Sequence, residues 1–120
     1  MKGQIQVLKT TVIGGIVFLV PIIIIVANNN MYGTIRMHQE KSYPNRVLGT
    51  TLTNPDFAAY ARSFGAHGET VEATEEFRSA FERAAASGKP AIIELKLDSE
   101  ALNSRLTISQ ARKMAVPETA

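Results

Sequence analysis

The chain has 120 residues, which is room for one domain with a modest hydrophobic core. Its hydrophobic fraction of 45% and charged fraction of 20% are those of an ordinary globular protein, so they exclude a wholly disordered chain and a multi-span membrane protein. The net charge of +2 comes from basic residues interspersed with acidic ones, which argues against nucleic acid as a partner. The absence of cysteine excludes disulfides, thiolate nucleophiles and Cys-ligated metals.

The amino-terminal segment, residues 1–20, is apolar apart from Lys2 and Lys9. Basic residues ahead of an apolar run are typical of a signal anchor whose amino terminus stays in the cytoplasm. We expect an apolar helix here, and residues 11–27 are about 17 residues, the lower limit for crossing a bilayer. The segment also resembles the first helix of a family of small bacterial membrane proteins. The alternatives are a buried element that precedes a sheet and a foreign segment joined by fusion.

The run Pro21–Gly33 is solidly aliphatic until three asparagines and a Tyr-Gly pair end it. An unbroken Ile/Val run that ends at turn-forming residues is typical of a central strand of a parallel sheet, buried on both faces. Polar residues at the carboxyl end of such a strand lie where open α/β sheets bind ligands. The same run read as a continuation of residues 1–20 would instead complete a membrane helix.

The polar stretch after Gly33 has no sustained period and predicts a loop with a helical turn near residues 35–40. A helix is then predicted with Asn54 at its N-cap, Pro55 at its first position and Gly65 at its end.

Two further strands and a second helix follow. Residues 67–72 predict a short strand, and Thr74 predicts the N-cap of a helix that ends at Ser87-Gly88. Residues 91–97 alternate as a strand that puts Glu94 and Lys96 on the face opposite its apolar residues. The tail from residue 98 shows weak patterning and a frayed end over residues 113–120. Alternating strands and helices predict an α/β fold, a partial parallel sheet with flanking helices.

Several short motifs occur in an order and spacing that resemble the carboxyl-terminal diphosphate-binding domain of thiamine diphosphate enzymes of the acetolactate synthase type. The resemblance covers residues 21–112. The motifs that carry it are Asn28-Asn29, Tyr32-Gly33, Gln39-Glu40 with Tyr43 and Arg46, Asn54-Pro55-Asp56-Phe57 and Gly88-Lys89-Pro90.

The resemblance implies thiamine diphosphate and Mg²⁺ as cofactors, with the diphosphate held through the metal. It implies that Asn29 supplies a side-chain metal ligand and Met31 a backbone carbonyl ligand, which suits the preference of Mg²⁺ for oxygen. The resemblance further implies an orienting role for Asn28 at the cofactor site, which Tyr32-Gly33 would complete. Asn30 replaces a common glycine or acidic residue, which is tolerable because asparagine accepts the left-handed backbone region.

The sequence departs from the family pattern upstream of the asparagines. The expected Gly-Asp-Gly motif would fall before residue 10, but the sequence there is MKGQIQVLK and no aspartate precedes Asp56. A domain with the catalytic glutamate is also missing, and no catalytic residue is assigned. We therefore expect a truncated module, inactive alone, in which a fused reading frame supplied residues 1–20.

Three settings remain open for such a module. It could be a fragment of a carboligase or decarboxylase that acts on 2-oxo acids, as a homo-oligomer or within a larger thiamine diphosphate enzyme. It could complement the subunit of a divided enzyme, or it could be a membrane-anchored small protein. The expected location is the cytoplasm, with the inner membrane as the alternative.

Other polar residues have weaker claims to function. His38, in the loop after the predicted metal site, could reach a substrate. Tyr43 and Arg46 lie in what resembles the family's mobile active-site loop, where Arg46 could contact an anionic substrate. An exposed loop histidine is more often simply solvated, and surface packing explains Tyr43 and Arg46 at least as well as function. His67 precedes a short strand and is interpreted as structural. Glu69 and Glu72 receive no chemical role, because the sequence shows no partner that would shift the pKa of either carboxyl.

Overall fold

The structure, a computed structural model, describes residues 11–13, 16–18 and 21–115. The strands in this part of the chain are β1 Thr11–Ile13, β2 Ile16–Phe18, β3 Ile23–Asn28, β4 His67–Val71, β5 Ala91–Lys96, β6 Ala101–Asn103 and β7 Leu106–Thr107. The helices are α1 Gly33–Ser42, α2 Phe57–Ser63, α3 Glu76–Ala86 and α4 Ile108–Lys113.

A parallel sheet of β3, β5 and β4, in that order, forms the centre of the fold. Ile23 lies opposite Ala91 and Asn28 opposite Lys96, so β3 and β5 end at the same level. The predicted α/β class is confirmed. The aliphatic run was expected to be central, but among the described residues β3 pairs only with β5 and is an edge strand. The central position belongs to β5, whose residues are the more deeply buried.

The helices α2 and α3 lie on opposite faces of the sheet. The face that α3 covers holds the core, in which small alanines of the helix meet aliphatic strand residues: Val71, Ala80, Ala84, Ala91 and Ile93. On the other face, a Cβ built on Gly68 of β4 would lie 2.1 Å from the Ala58 carbonyl oxygen of α2. Glycine at position 68 therefore allows α2 to approach the sheet closely.

An apolar helix was predicted over residues 1–20, but residues 11–13 and 16–18 form strands, and the remainder of that prediction lies outside the described residues. β1 pairs antiparallel with β2, with Ile13 opposite Ile16. Both strands are rich in β-branched residues, and the intervening sequence, Gly14-Gly15, is a dipeptide favoured in hairpins. Strand β3 occupies the second half of the run 11–27 that was expected to cross a bilayer. None of the helices in the described ranges is both long and apolar enough to do so.

The segment after β3 is more helical than predicted, and the next helix starts later. Helix α1 has ten residues where a loop with one turn was expected, and its buried Glu40 shows that long-range contacts stabilise it. Helix α2 starts at Phe57 with Asp56 as N-cap, because Asp56 Oδ1 accepts the Ala59 N–H at 2.7 Å. The predicted cap, Asn54, instead directs its side chain to Asn28. The predicted end of α2 is confirmed at Gly65, with φ of +73°.

The second predicted helix and both later strands are confirmed, with small shifts at their ends. Helix α3 starts at Glu76, two residues after Thr74, and its N-cap Glu75 makes no side-chain capping hydrogen bond. The Glu76 carboxylate accepts the N–H groups of Glu72 and Ala73, which precede the helix. The sequence from residue 98 shows only weak patterning, and no regular elements were expected there. That expectation is wrong over residues 101–113, where β6, β7 and α4 form. Helix α4 begins with a capping box between Thr107 and Gln110. That Thr-x-x-Gln spacing was the signal for it.

Candidate cofactor-binding turn

The asparagine turn, residues Asn28–Met31, lies at the carboxyl end of β3. Two side chains shape it through local hydrogen bonds. Asn28 Oδ1 accepts the Asn30 N–H at 3.0 Å, and Asn29 Oδ1 accepts the Met31 N–H at 3.3 Å. Between these overlapping turns, Asn30 has φ of +57°, so the left-handed conformation predicted for it is confirmed.

The loop before α2 fixes the asparagine turn from its other side. The Tyr32 N–H donates to the Thr50 carbonyl at 2.9 Å, and the Leu52 N–H donates to the Asn30 carbonyl at 2.8 Å. Asn54 Nδ2 donates to Asn28 Oδ1 at 2.8 Å. The loop residues therefore take up polar groups that a free turn would present to water, and they hold its backbone in one conformation.

The position after Tyr32 favours a glycine, because the Asn29 side chain packs closely against Gly33. A Cβ at Gly33 would lie 3.2 Å from Asn29 Nδ2, a tight contact. The amide group of Asn29 thus packs over the first residue of α1, which leaves Asn29 half-buried and Tyr32 exposed. The structure brings together all five predicted site residues, Asn28, Asn29, Met31, Tyr32 and Gly33, within one turn and the start of one helix.

Glu94 is a residue of this region whose environment the sequence reasoning missed. It is fully buried, and its Oε1 accepts Asn28 Nδ2 and Lys96 Nζ, each at 2.6 Å. Its Oε2 is buried and makes no hydrogen bond. Period-two alternation put Glu94 on the face opposite the apolar residues of β5, but α2 and the sheet bury that face too. The available signal was a lone carboxylate within an aliphatic strand.

Glu40 connects α1 to the rest of the fold. Its carboxylate is 1% exposed, pairs with Arg36 of α1 and Arg112 of α4, and accepts the Asn45 N–H at 3.0 Å. The Arg112 guanidinium, with the Asn45 and Arg36 hydrogen bonds, lowers the pKa of Glu40 from 4.5 to about 2, although burial opposes the shift. The carboxylate is thus charged and holds α1, the loop after it and α4 together.

The remaining sequence candidates lie away from the asparagine turn or on the surface. His38 is exposed on α1 rather than in a loop, and Tyr43 and Arg46 are exposed just beyond that helix. On β4, Glu69 contacts His67 and pairs with Arg83 at 2.6 Å. Arg83 lowers the pKa of Glu69, so the expectation that Glu69 has no such partner is wrong.

Two further features limit where a ligand can lie. A cavity of about 300 Å³ opens beside the ends of β4 and β5, between Val71, Phe77 and Leu97, but no residue of the asparagine turn lines it. Across residues 21–115, no group of three or more His, Asp or Glu side chains has an arrangement that could hold a metal ion. The two predicted metal ligands at the turn, the Asn29 side chain and the Met31 carbonyl, are both neutral oxygens.

Comparison with known proteins assigns the family. The sequence model for "Thiamine pyrophosphate enzyme, C-terminal TPP binding domain" matches residues 3–95. The chain belongs to this family. The resemblance to such a domain is therefore confirmed. The match begins well before Pro21, where the resemblance was expected to start, and the expected likeness of the first residues to a membrane-protein family has no support.

Relatives within the thiamine pyrophosphate family are much longer proteins. The thiamine pyrophosphate-containing protein YdaP of Bacillus subtilis is 34% identical over 93 residues, which are 77% of this chain and 16% of YdaP. The acetolactate synthase large subunit IlvG of Mycobacterium tuberculosis is 32% identical over 79 residues, 66% of this chain and 14% of IlvG. The acetolactate synthase isozyme 2 large subunit of Escherichia coli is 30% identical over 79 residues, which are 65% of this chain and 14% of that protein.

Proposed function

We propose that this chain binds thiamine diphosphate through Mg²⁺ and that the asparagine turn supplies protein ligands to the cation. The observation that carries the proposal is the pair of overlapping side-chain turns at the carboxyl end of a parallel strand, in a member of a thiamine pyrophosphate-binding family. Ligands of open α/β sheets bind at such strand ends.

The oxygens of the turn suit a hard cation. Asn29 Oδ1 accepts one long hydrogen bond of 3.3 Å and retains a lone pair for a metal. Among the backbone hydrogen bonds found for residues 21–115, none has the Met31 carbonyl as its acceptor, and the Leu52 N–H donates to the adjacent Asn30 carbonyl. Both groups are neutral oxygens of the kind that Mg²⁺ accepts alongside phosphate oxygens and water.

The remaining predicted site residues have supporting roles in this proposal. Asn28 is an orienting residue, since its side chain is 3% exposed and bonded on every side. Gly33 leaves room for the Asn29 amide, and Tyr32 presents an exposed ring beside the turn. Neutral ligands alone bind Mg²⁺ weakly, so we infer that an anionic ligand comes from outside the described residues.

We further propose that the reaction served is of the acetolactate synthase type, a carboligation or decarboxylation of 2-oxo acids. Thiamine diphosphate supplies a carbanion-stabilising centre to such chemistry. This chain would contribute the asparagine part of the Mg²⁺–diphosphate site over residues 21–112 and would be inactive alone. The relatives named acetolactate synthase subunits are the support for this choice of reaction.

Binding measurements test the proposed site. We expect wild-type chain to bind thiamine diphosphate only with Mg²⁺ present, and Asn29→Ala to weaken that binding about tenfold or more. Asn29→Asp keeps an oxygen ligand and adds charge, so it should bind at least as tightly as wild type. Titration calorimetry with and without Mg²⁺ gives the affinities.

A matched control uses another asparagine whose side chain accepts a backbone N–H. Asn103 Oδ1 accepts the Arg105 N–H in the β6–β7 hairpin, and Asn103→Ala should leave cofactor affinity unchanged. Equal loss in both alanine variants, or Mg²⁺-independent binding, would contradict the proposed site.

A divided enzyme is the second setting that we propose, in which a larger subunit completes the site. The chain spans at most 16% of the length of these three relatives. The proposal of a completing subunit rests on the membership of the chain in a thiamine pyrophosphate-binding family. Affinity purification from the native cell should recover a larger thiamine diphosphate protein, and 2-oxo acid turnover by the purified chain alone would contradict this view. A cytoplasmic location belongs to the proposal, and carbonate extraction should leave the chain in the supernatant.

A further inference from the structure

Glu94 is placed where it orders the asparagine turn from inside the sheet. It lies on β5 opposite Val26, two residues before the end of β3, and points to the same face as Asn28. Its Oε1 accepts Asn28 Nδ2 at 2.6 Å. The contact joins residues 66 positions apart, and it connects the central strand directly to the first side chain of the turn.

This contact determines which way the amide group of Asn28 faces. A carboxylate can only accept, so the nitrogen of Asn28 must point to Glu94. The oxygen then points to Asn30 N and Asn54 Nδ2, which are both donors. The reversed amide would place two donors against donors and leave the carboxylate facing an oxygen. Only one amide orientation therefore satisfies all three neighbours.

Stability alone does not explain a carboxylate at this position. Glu94 is 0% exposed, and the cation that pairs with it, Lys96 Nζ, bonds to the same Oε1 that Asn28 uses. Oε2 is left buried without a hydrogen bond. Burying a carboxylate is unfavourable, and well-packed apolar residues often replace buried ion pairs without loss of stability. A role in specifying local geometry accounts for the retained charge.

We propose that Glu94 is the positioning residue of the asparagine turn. It fixes the Asn28 amide, the Asn28 oxygen fixes the Asn30 N–H, and the resulting turn presents Asn29 and Met31 to the cation. The last step rests on the proposed function, whereas the first two concern hydrogen bonds within this chain alone. Lys96 supports the arrangement by neutralising the buried carboxylate.

Amide hydrogen exchange in the full chain tests the ordering of the turn. Glu94→Leu removes the acceptor at similar volume, so the Asn30 and Met31 amides should exchange about tenfold faster, while α3 keeps its protection. Glu94→Gln retains an oxygen for Asn28 Nδ2 and should stay within about twofold of wild type. With Mg²⁺ present, the affinity for thiamine diphosphate should follow the same order. We expect wild type and Glu94→Gln to bind with similar affinity and Glu94→Leu to bind about tenfold more weakly.

A reciprocal exchange of the two groups gives an independent test. Asn28→Asp alone sets two carboxylates side by side and should speed exchange at Asn30. Combined with Glu94→Gln, the amide and the acid trade places, a donor–acceptor pair is restored, and the carboxylate at position 28 still accepts the Asn30 N–H. We expect the double variant to recover most of the lost protection, as a double-mutant cycle would report.

Glu69→Gln is the matched control, because Glu69 is an ion-paired carboxylate on the neighbouring strand, on the opposite face. It should leave exchange at Asn30 unchanged. The proposal is overturned if a folded Glu94→Leu chain exchanges like wild type at Asn30, or if protection falls equally in every element. If Glu94→Leu does not fold, failure of the double variant to improve on Asn28→Asp overturns it. If wild-type chain binds no Mg²⁺ and thiamine diphosphate, the proposed function fails while the exchange data still decide the role of Glu94.

Discussion

Within the described part of the chain, two carboxylates are buried, Glu40 and Glu94, and they differ in how completely their charge is compensated. Two arginines and a backbone N–H surround Glu40, so both of its oxygens have partners. Glu94 has partners on one oxygen only. A fully bonded buried carboxylate stabilises the folded state above its pKa, whereas a half-bonded one is a local constraint with little net gain.

Acid should weaken the fold through Glu40. Its pKa is lowered from 4.5 to about 2, so the unfolded chain binds this proton more readily, and the stabilisation is complete above pH 4.5 and is lost as the pH falls toward 2. At 1.36 kcal/mol per pKa unit, the loss approaches about 3 kcal/mol. Denaturant unfolding between pH 6 and pH 2 measures it.

The Glu40→Gln variant isolates this contribution. It should be less stable than wild type at pH 6, and the difference should shrink as the pH falls toward 2. Glu82→Gln is the control, because Glu82 pairs with Arg78 on α3 with both side chains mostly exposed. A wild-type stability that is unchanged between pH 4.5 and 2 would contradict the prediction.

The elements pack closely through small residues rather than large ones. The fully buried core residues of α3 are alanines, Ala80 and Ala84, and α2 meets β4 where Gly68 faces Ala58. Close approach of a helix to a strand leaves no space for an added methyl group. The position of α2 therefore depends on a single glycine, and so does the loop that runs from the asparagine turn into this helix.

Gly68→Ala should move α2 away from the sheet. Its Cβ would lie 2.1 Å from the Ala58 carbonyl oxygen, and such overpacking costs about 3 kcal/mol in the free energy of unfolding. Gly65→Ala is the control, because a Cβ at that position meets open space. Only the left-handed φ of Gly65 opposes an alanine there, and it should lower the free energy of unfolding by about 1 kcal/mol. Urea unfolding compares the two. Equal losses would show that the contact is not limiting.

The sheet is open along β3 in the described structure. The exposed aliphatic side chains on and beside this edge include Ile22, Ile24 and Ile25, at 62%, 51% and 46% exposure. An exposed apolar edge strand pairs readily with another chain, and native proteins usually cover such an edge. This agrees with the expectation of a homo-oligomer or of a larger enzyme subunit as partner.

Ile24→Lys should reduce self-association of the purified chain. A lysine on an edge strand opposes strand pairing, and the loss of one buried isoleucine lowers an association constant by about tenfold. Ile35→Lys is the control, because Ile35 is 55% exposed on α1, away from the edge. Sedimentation over a concentration series gives the association constants. Equal effects of both variants would rule out the edge as the contact.

The local order of the chain was predictable from sequence patterns a few residues long. Aliphatic and β-branched runs indicated the strands β3, β4 and β5, turn-forming residues marked the asparagine turn, and Gly65 and Gly88 marked helix ends. These features depend on backbone sterics and on periodicity, which neighbouring residues determine. The residues of the candidate site were instead named from the resemblance to thiamine diphosphate enzymes, whose motif falls within one turn here.

Long-range contacts were decided by the tertiary structure. Glu94 meets Asn28 across 66 positions, and Glu40 meets Arg112 across 72, so no local pattern could signal either pair. The order of the sheet places β5 in the centre and buries both of its faces, which turns an acid on a nominally polar face into a buried partner of the turn. The same contacts divert Asn54 from the helix cap to Asn28. Sequence alone thus determined which residues form the turn, and the packing of the sheet determined what holds them, because hydrogen-bond partners distant in the chain are chosen only when the strands assemble.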